Sequence, residues 1–126
     1  MTAALNILLV EDNADTATVL SLLLRRYGYA VKIVGGVQAA KKLAAVEAFD
    51  LLLCDLGLPD GSGADLMREL KTLYDMKGIA LSGHAREEDI QRSKQAGFSE
   101  HLVKPVDFDQ LDQSIRRVLH NEDSQG

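Results

Sequence analysis

Three stretches of this chain, LNILLV at 5–10, DLLLC at 50–54 and GIALS at 78–82, are apolar almost without interruption. A strand with one wet face alternates apolar and polar residues, whereas an unbroken apolar run suits a strand covered on both faces, as in a parallel sheet. Two shorter runs, at 30–34 and 101–103, bring the strand candidates to five. Between them apolar residues step by threes and fours: Ala17, Leu20, Leu24 and Tyr27; Leu66, Leu70 and Leu73; Phe108, Leu111, Ile115 and Val118. Each set draws a stripe along one side of a helix. Residues 36–48 are alanine-rich and helical in propensity, and 86–96 read as a more polar helix. Gly28 and Gly97 stand where the first and fourth helices should stop, and Asp107 where the fifth should start. Strand and helix thus alternate five times. That order predicts an α/β domain, a parallel sheet with helices on both faces joined by right-handed crossovers.

A chain of 126 residues is expected to form one domain, here 1–121, with a flexible tail at 122–126. Its net charge of −5 and pI near 5.1 argue against direct nucleic-acid binding, which wants a clustered basic face. No apolar run approaches the roughly 20 residues needed to cross a bilayer, so no membrane insertion is expected. The start, MTAALNILLV, has no basic residue ahead of its apolar run and does not read as a signal peptide. The single cysteine, Cys54, excludes an internal disulfide, reads as a small buried apolar residue and fits a reducing cytoplasm.

In an open parallel sheet, ligands sit beyond the carboxyl ends of the strands. Residues at those ends are therefore informative. Glu11 and Asp12 follow the first run, Asp55 ends the third, Ser82 ends the fourth, and Lys104 and Pro105 follow the fifth. Taken singly, each has a plain role: Glu11 or Asp12 as a helix cap, Ser82 in a turn, Lys104 in solvent. Independent structural roles do not explain why all fall on one edge. Asp55 in particular ends a buried run, and a charge beside a core costs several kcal/mol unless something compensates it. Carboxylates about 4 Å apart repel by roughly 4 kcal/mol per pair at an effective dielectric near 20. A proton or a cation relieves that. Hard oxygen donors without His or Cys select magnesium, calcium or manganese, and few protein ligands with open positions suit magnesium. Such a metal beside a fixed lysine can hold a phosphoryl group, with Asp55 as the nucleophile.

At this point the chain resembles the receiver domain of two-component response regulators, over residues 5 to about 120. The motifs that carry the resemblance are LLVEDN at 8–13, CDLGLPDGSG at 54–63, ALSGHA at 80–85 and HLVKPVD at 101–107. LSGHA with HLVKPVD is also similar to receivers at the C-terminal end of hybrid sensor histidine kinases. The resemblance implies a flavodoxin-like, doubly wound (βα)5 fold with strand order 2-1-3-4-5. It implies that Asp55 accepts a phosphoryl group from a phosphohistidine, supplied by a histidine kinase or histidine phosphotransfer domain. Mg2+ would be held by Asp12, Asp55 and the main-chain carbonyl of Gly57, with Glu11 acting through water. Lys104 would pair with the phosphoryl oxygens, Ser82 would hydrogen-bond one of them, and Gly83 would leave room for the group. Pro105 is expected to follow a cis bond. Pro59 and Gly63 would belong to the turn after the acceptor. A phosphorylation-dependent homodimer or a downstream protein would read the result.

Two residues depart from the common receiver pattern. His101 stands where receivers carry Tyr or Phe, so an imidazole would replace the usual aromatic switch. His84, two residues past Ser82, flanks the phosphoryl site together with Gly57 and is expected to influence how water reaches the acyl phosphate. Two other functions compete. A phosphatase of the haloacid dehalogenase type also uses a nucleophilic Asp with Mg2+, but needs a second Asp where this chain has Gly57. A receiver-like interaction module that never takes phosphate usually lacks one of the acids or the lysine, and all are present here. No independent enzymatic effector is visible in these residues.

Overall fold

The computed structural model describes residues 4–83 and 86–125, with side chains through residue 120. In chain order the elements are β1 (Asn6–Val10), α1 (Ala14–Arg26), β2 (Ala30–Val34), α2 (Val37–Val46), β3 (Leu51–Asp55), β4 (Gly57–Leu58), β5 (Gly61–Ser62), α3 (Gly63–Tyr74), β6 (Lys77–Ser82), α4 (Glu87–Ala96), β7 (Glu100–Val103) and α5 (Phe108–Gln125). Five strands form one parallel sheet of order β2-β1-β3-β6-β7. Counting only its strands, that is the expected 2-1-3-4-5.

The unbroken apolar runs have a simple cause. Successive side chains on a strand point to opposite faces, and both faces are covered. On one face Leu8, Val10, Leu52, Cys54 and Ala80 meet α2 and α3 through residues such as Ala40, Leu66 and Met67. On the other, Ile7, Leu9, Leu53 and Leu81 meet α1 and α5 through residues such as Leu24, Leu111 and Ile115. Each fully buried leucine or isoleucine contributes roughly 1.5–3 kcal/mol by leaving water. α4 is attached far more thinly: of its own residues only Ser93 and Ala96 are buried.

Local details differ from the sequence expectation at three places. Leu73 is 60% exposed, because α3 buries Leu66, Met67 and Leu70 and the core at that end is filled by Met76 and Phe98. Tyr27 is the C-cap of α1, its ring edge-on to Phe108 at 4.6 Å, rather than a member of the buried stripe. The turn after Asp55 contains a two-residue antiparallel hairpin, β4 with β5. Helix punctuation is as expected at Gly28 and Gly97, which have φ of 95° and 111°, and at Asp107, whose carboxylate accepts from Asp109 N at 3.1 Å. Of the tail expected at 122–126, residues 122–125 are the last of α5, with side chains outside the described residues, and Gly126 lies outside them altogether.

Register sets the site. Val10 is paired with Cys54, so Glu11 emerges beside Asp55. Asp55 is paired with Leu81, and Ser82 with Val103, so Lys104 emerges beside Ser82. The chain winds from β1 outward to β2 and then back across to β3, so the strand order reverses between β1 and β3. The acids lie at that crevice.

Candidate functional site

Glu11 and Asp55 leave adjacent strands at the same height, and Lys104 reaches both. Its Nζ lies 2.6 Å from Glu11 Oε1 and 3.0 Å from Asp55 Oδ2. The Glu11 side chain is 1% exposed, Asp55 14% and Lys104 25%, so these charges meet largely out of water. Glu11 is fixed from its other oxygen as well, where Oε2 accepts from Asn13 N at 3.1 Å. Asn13, not Glu11 or Asp12, caps α1 by accepting from Thr16 N at 2.9 Å. The acids at this edge are thus not needed as caps.

Asp12 is exposed. One carboxylate oxygen from each of Glu11, Asp12 and Asp55 can be chosen so that all lie within 4.8 Å of one another. Three carboxylates against one ammonium leave two uncompensated negative charges. A small divalent cation with oxygen preference fits both the donor type and the charge. Burial pulls the Lys104 ammonium toward deprotonation, but the hydrogen bonds and charges of Glu11 and Asp55 outweigh it and hold its pKa above the ordinary lysine value. Lys104 is therefore a cation at neutral pH. The bond between Lys104 and Pro105 is cis.

The loop after Asp55 is held at several points. Gly57 N donates to Asp55 Oδ1 at 3.2 Å. Gly63 N donates to Leu56 O at 2.9 Å, and a Cβ at Gly63 would collide with the main-chain oxygen of Asp55. Asp60 receives Val37 N at 2.7 Å on Oδ1 and Gln38 N at 3.1 Å on Oδ2, capping α2 from the loop. Those bonds hold its carboxyl below the usual carboxylate range. Sequence alone carries no signal for this cap, since Asp60 sits in a Pro-Asp-Gly turn far along the chain from α2. Ser62, which caps α3 by accepting from Ala64 N at 3.1 Å, could have been found from its residue type just ahead of a helix.

Ser82 is buried at the end of β6. Its Oγ is 2.6 Å from His101 Nε2, and His101 Nδ1 is 3.3 Å from Ser93 Oγ on α4. Burial lowers the His101 pKa, only partly offset by Asp89, so the ring is neutral at neutral pH. Gly83 is exposed and opens onto free space. His84 lies outside the described residues. Cys54 is fully buried, and burial first, then Asp55 and Glu11, push its thiol well up, so it is an inert core residue.

The family model for the response regulator receiver domain matches residues 7–116. The chain belongs to that family. A receiver domain protein from Methanospirillum hungatei, described as CheY-like, superposes with a TM-score of 0.90 at 29% identity, covering 98% of this chain and 99% of that one. The receiver domain of sensor histidine kinase PA1611 from Pseudomonas aeruginosa, whose structure has a magnesium ion coordinated in the active site cleft, superposes with a TM-score of 0.84 at 32% identity, covering 93% and 98%. The transcriptional regulatory protein ZraR of Klebsiella oxytoca is 30% identical over 116 residues, covering 90% of this chain but 26% of that protein. The chain spans about a quarter of the length of such curated relatives. As a receiver domain it is a signalling domain, and no helix among the described residues is long and apolar enough to cross a membrane.

Proposed function

We propose that Asp55 is the phosphoacceptor of this domain and takes its phosphoryl group from a phosphohistidine on a histidine kinase or histidine phosphotransfer domain. The observation that carries this is the convergence of Lys104, Glu11 and Asp55 within 3.0 Å beside the exposed carboxylate of Asp12. In the transfer an Asp55 carboxylate oxygen forms the new O–P bond as the histidine N–P bond breaks. The electron pair returns to the imidazole nitrogen. Little covalent work is asked of the protein, so positioning and charge compensation supply most of the catalysis.

Asp12, Asp55 and the main-chain carbonyl of Gly57 would hold Mg2+, with Glu11 acting through water. The ion would neutralise charge on the phosphoryl oxygens. Lys104, already aimed at Asp55 and fully protonated, pairs with one of those oxygens. Glu11, buried and bonded at both oxygens, keeps the lysine in place. Ser82 donates to another oxygen once the group is attached, and Gly83 leaves space for it. A cleft of about 510 Å3 beside Lys104, lined partly by Val19, Leu20, Pro105 and Val106, supports docking of a protein donor next to the acceptor. A homodimer or a downstream protein would read the phosphorylated form, and the chemistry belongs in the cytoplasm.

Incubation with acetyl phosphate and Mg2+ followed by intact mass tests this. The expected result is a gain of one phosphoryl group that requires Mg2+ and is absent in Asp55→Asn. A chain that stays unmodified with both reagents present contradicts it.

A further inference from the structure

Resting on the phosphoacceptor role of Asp55, we propose that His101 is a positioning residue for Ser82, holding the serine hydroxyl hydrogen away from the phosphoryl site until a phosphoryl group competes for it, with Ser93 linking the exchange to α4.

Ser93 Oγ donates to Ile90 O at 2.8 Å, and a hydroxyl has one hydrogen. In its contact with His101 Nδ1, Ser93 Oγ must therefore accept, so the ring hydrogen sits on Nδ1. A neutral imidazole carries one N–H, which leaves Nε2 bare. A bare nitrogen 2.6 Å from a hydroxyl oxygen needs a hydrogen between them, and only Ser82 can supply it. The hydroxyl that should donate to a phosphoryl oxygen already donates to His101.

Two routes move that hydrogen. The ring can withdraw, or Nε2 can take a proton from solvent, after which His101 donates to Ser82 and the serine hydrogen turns toward the phosphoryl group. The second route is favoured by the added negative charge of the phosphoryl group. Of the described charged groups, Asp89 on α4 acts on the ring and favours the imidazolium. On β7, Glu100 is engaged by Arg117 and Ser114, and Lys104 by Glu11 and Asp55; β6 presents Ser82 itself. Withdrawal of the ring breaks the tie to Ser93, whereas protonation leaves Nδ1–H donating to Ser93 and turns that bond into a stronger, charge-assisted one. In either case the change reaches α4, of whose residues only Ser93 and Ala96 are buried. By reciprocity, protonation of His101 and occupation of the phosphoryl site favour one another.

Two measurements test this. A long-range proton–nitrogen spectrum of the resting protein, with His101 assigned by its loss in His101→Phe, should show the neutral tautomer with hydrogen on Nδ1. The opposite tautomer overturns the proposal, whether or not Asp55 accepts phosphate. Beryllium fluoride with Mg2+, a phosphoryl mimic, should bind the wild type roughly two- to tenfold more tightly as pH falls through the His101 titration, the range one hydrogen bond supports. His101→Phe and Ser82→Ala should each remove that component of the pH dependence. A component that survives in both variants overturns the proposal. Absence of any beryllium fluoride binding by the wild type strikes the phosphoacceptor reading instead, and the tautomer spectrum stands apart from it.

Discussion

Lys104 serves two acids at once, which makes it both a stabiliser and, at the proposed metal site, a competitor for the cation. Removing it strands Glu11, buried with no other cation bonded to it among the described residues. Lys104→Met is therefore expected to destabilise the metal-free protein by about 3–5 kcal/mol, the cost of an orphaned buried charge. The same change leaves three carboxylates with no rival cation, so Mg2+ should stabilise the variant by more than it stabilises the wild type. Urea denaturation with EDTA and with Mg2+ measures both, and an equal Mg2+ increment in the two proteins would contradict this. The pH sign follows from the raised ammonium pKa: the contribution of Lys104 is complete below the unfolded lysine value and is lost as pH rises through the folded one. At this scale the sequence pattern singled out Glu11, Asp12, Asp55 and Lys104, because charged residues at strand ends are conspicuous. It was silent on Ser93 and on the direction of the Ser82 bond. Those depend on which face of α4 meets β7, and a polar helix carries no apolar stripe to reveal it.

The segment from Asp55 to Ser62 is the element that aims the proposed acceptor, and it is braced from both ends. Asp60 caps α2, so a change there should loosen the loop and the helix together. Asp60→Ala is expected to lower the melting temperature and to increase hydrogen exchange at Val37 and Gln38. Because its folded pKa is depressed, the Asp60 contribution is present above the unfolded carboxylate value and fades as pH falls through the folded one. The melting difference between wild type and Asp60→Ala should shrink at acid pH; a difference constant down to strongly acid conditions would contradict the cap. Gly63 tests the other end. A methyl group there meets the main chain at Asp55, so Gly63→Ala should cost about 1–3 kcal/mol as an overpacked site and slow modification by acetyl phosphate. Both readouts unchanged would mean that the loop does not constrain the acceptor. Sequence marked this stretch as a turn through Pro59, Gly61 and Gly63, yet the β4–β5 hairpin and the reach to α2 escaped it. Two-residue strands have no period to read, and a cap between distant segments exists only once the chain is folded.

For the molecule as a whole, the architecture was legible because each of the three long runs, 5–10, 50–54 and 78–82, suits a strand buried on both faces and lies between segments of helical period. That demand fixes helices above and below, and chain order then admits few topologies. Leu73 and Tyr27 were misplaced for the converse reason: near a helix end, the neighbouring loop residues decide which apolar side chain is covered. Occupation of the acidic pocket by Mg2+, as proposed, would also link folding to metal. Mg2+ that binds the folded site alone should stabilise the wild type by about 2.7 kcal/mol at a hundredfold excess over its dissociation constant. Thermal melts across a Mg2+ series check this, and a melt indifferent to Mg2+ with Asp12 and Asp55 intact contradicts the site.

The most direct measurement locates the phosphoryl group itself. After reaction with acetyl phosphate and Mg2+, borohydride reduction converts an aspartyl phosphate to homoserine, which peptide mass spectrometry assigns to a position. Homoserine at position 55 alone is the expected result. Homoserine at position 12 or elsewhere, with Asp55 untouched, would contradict the account.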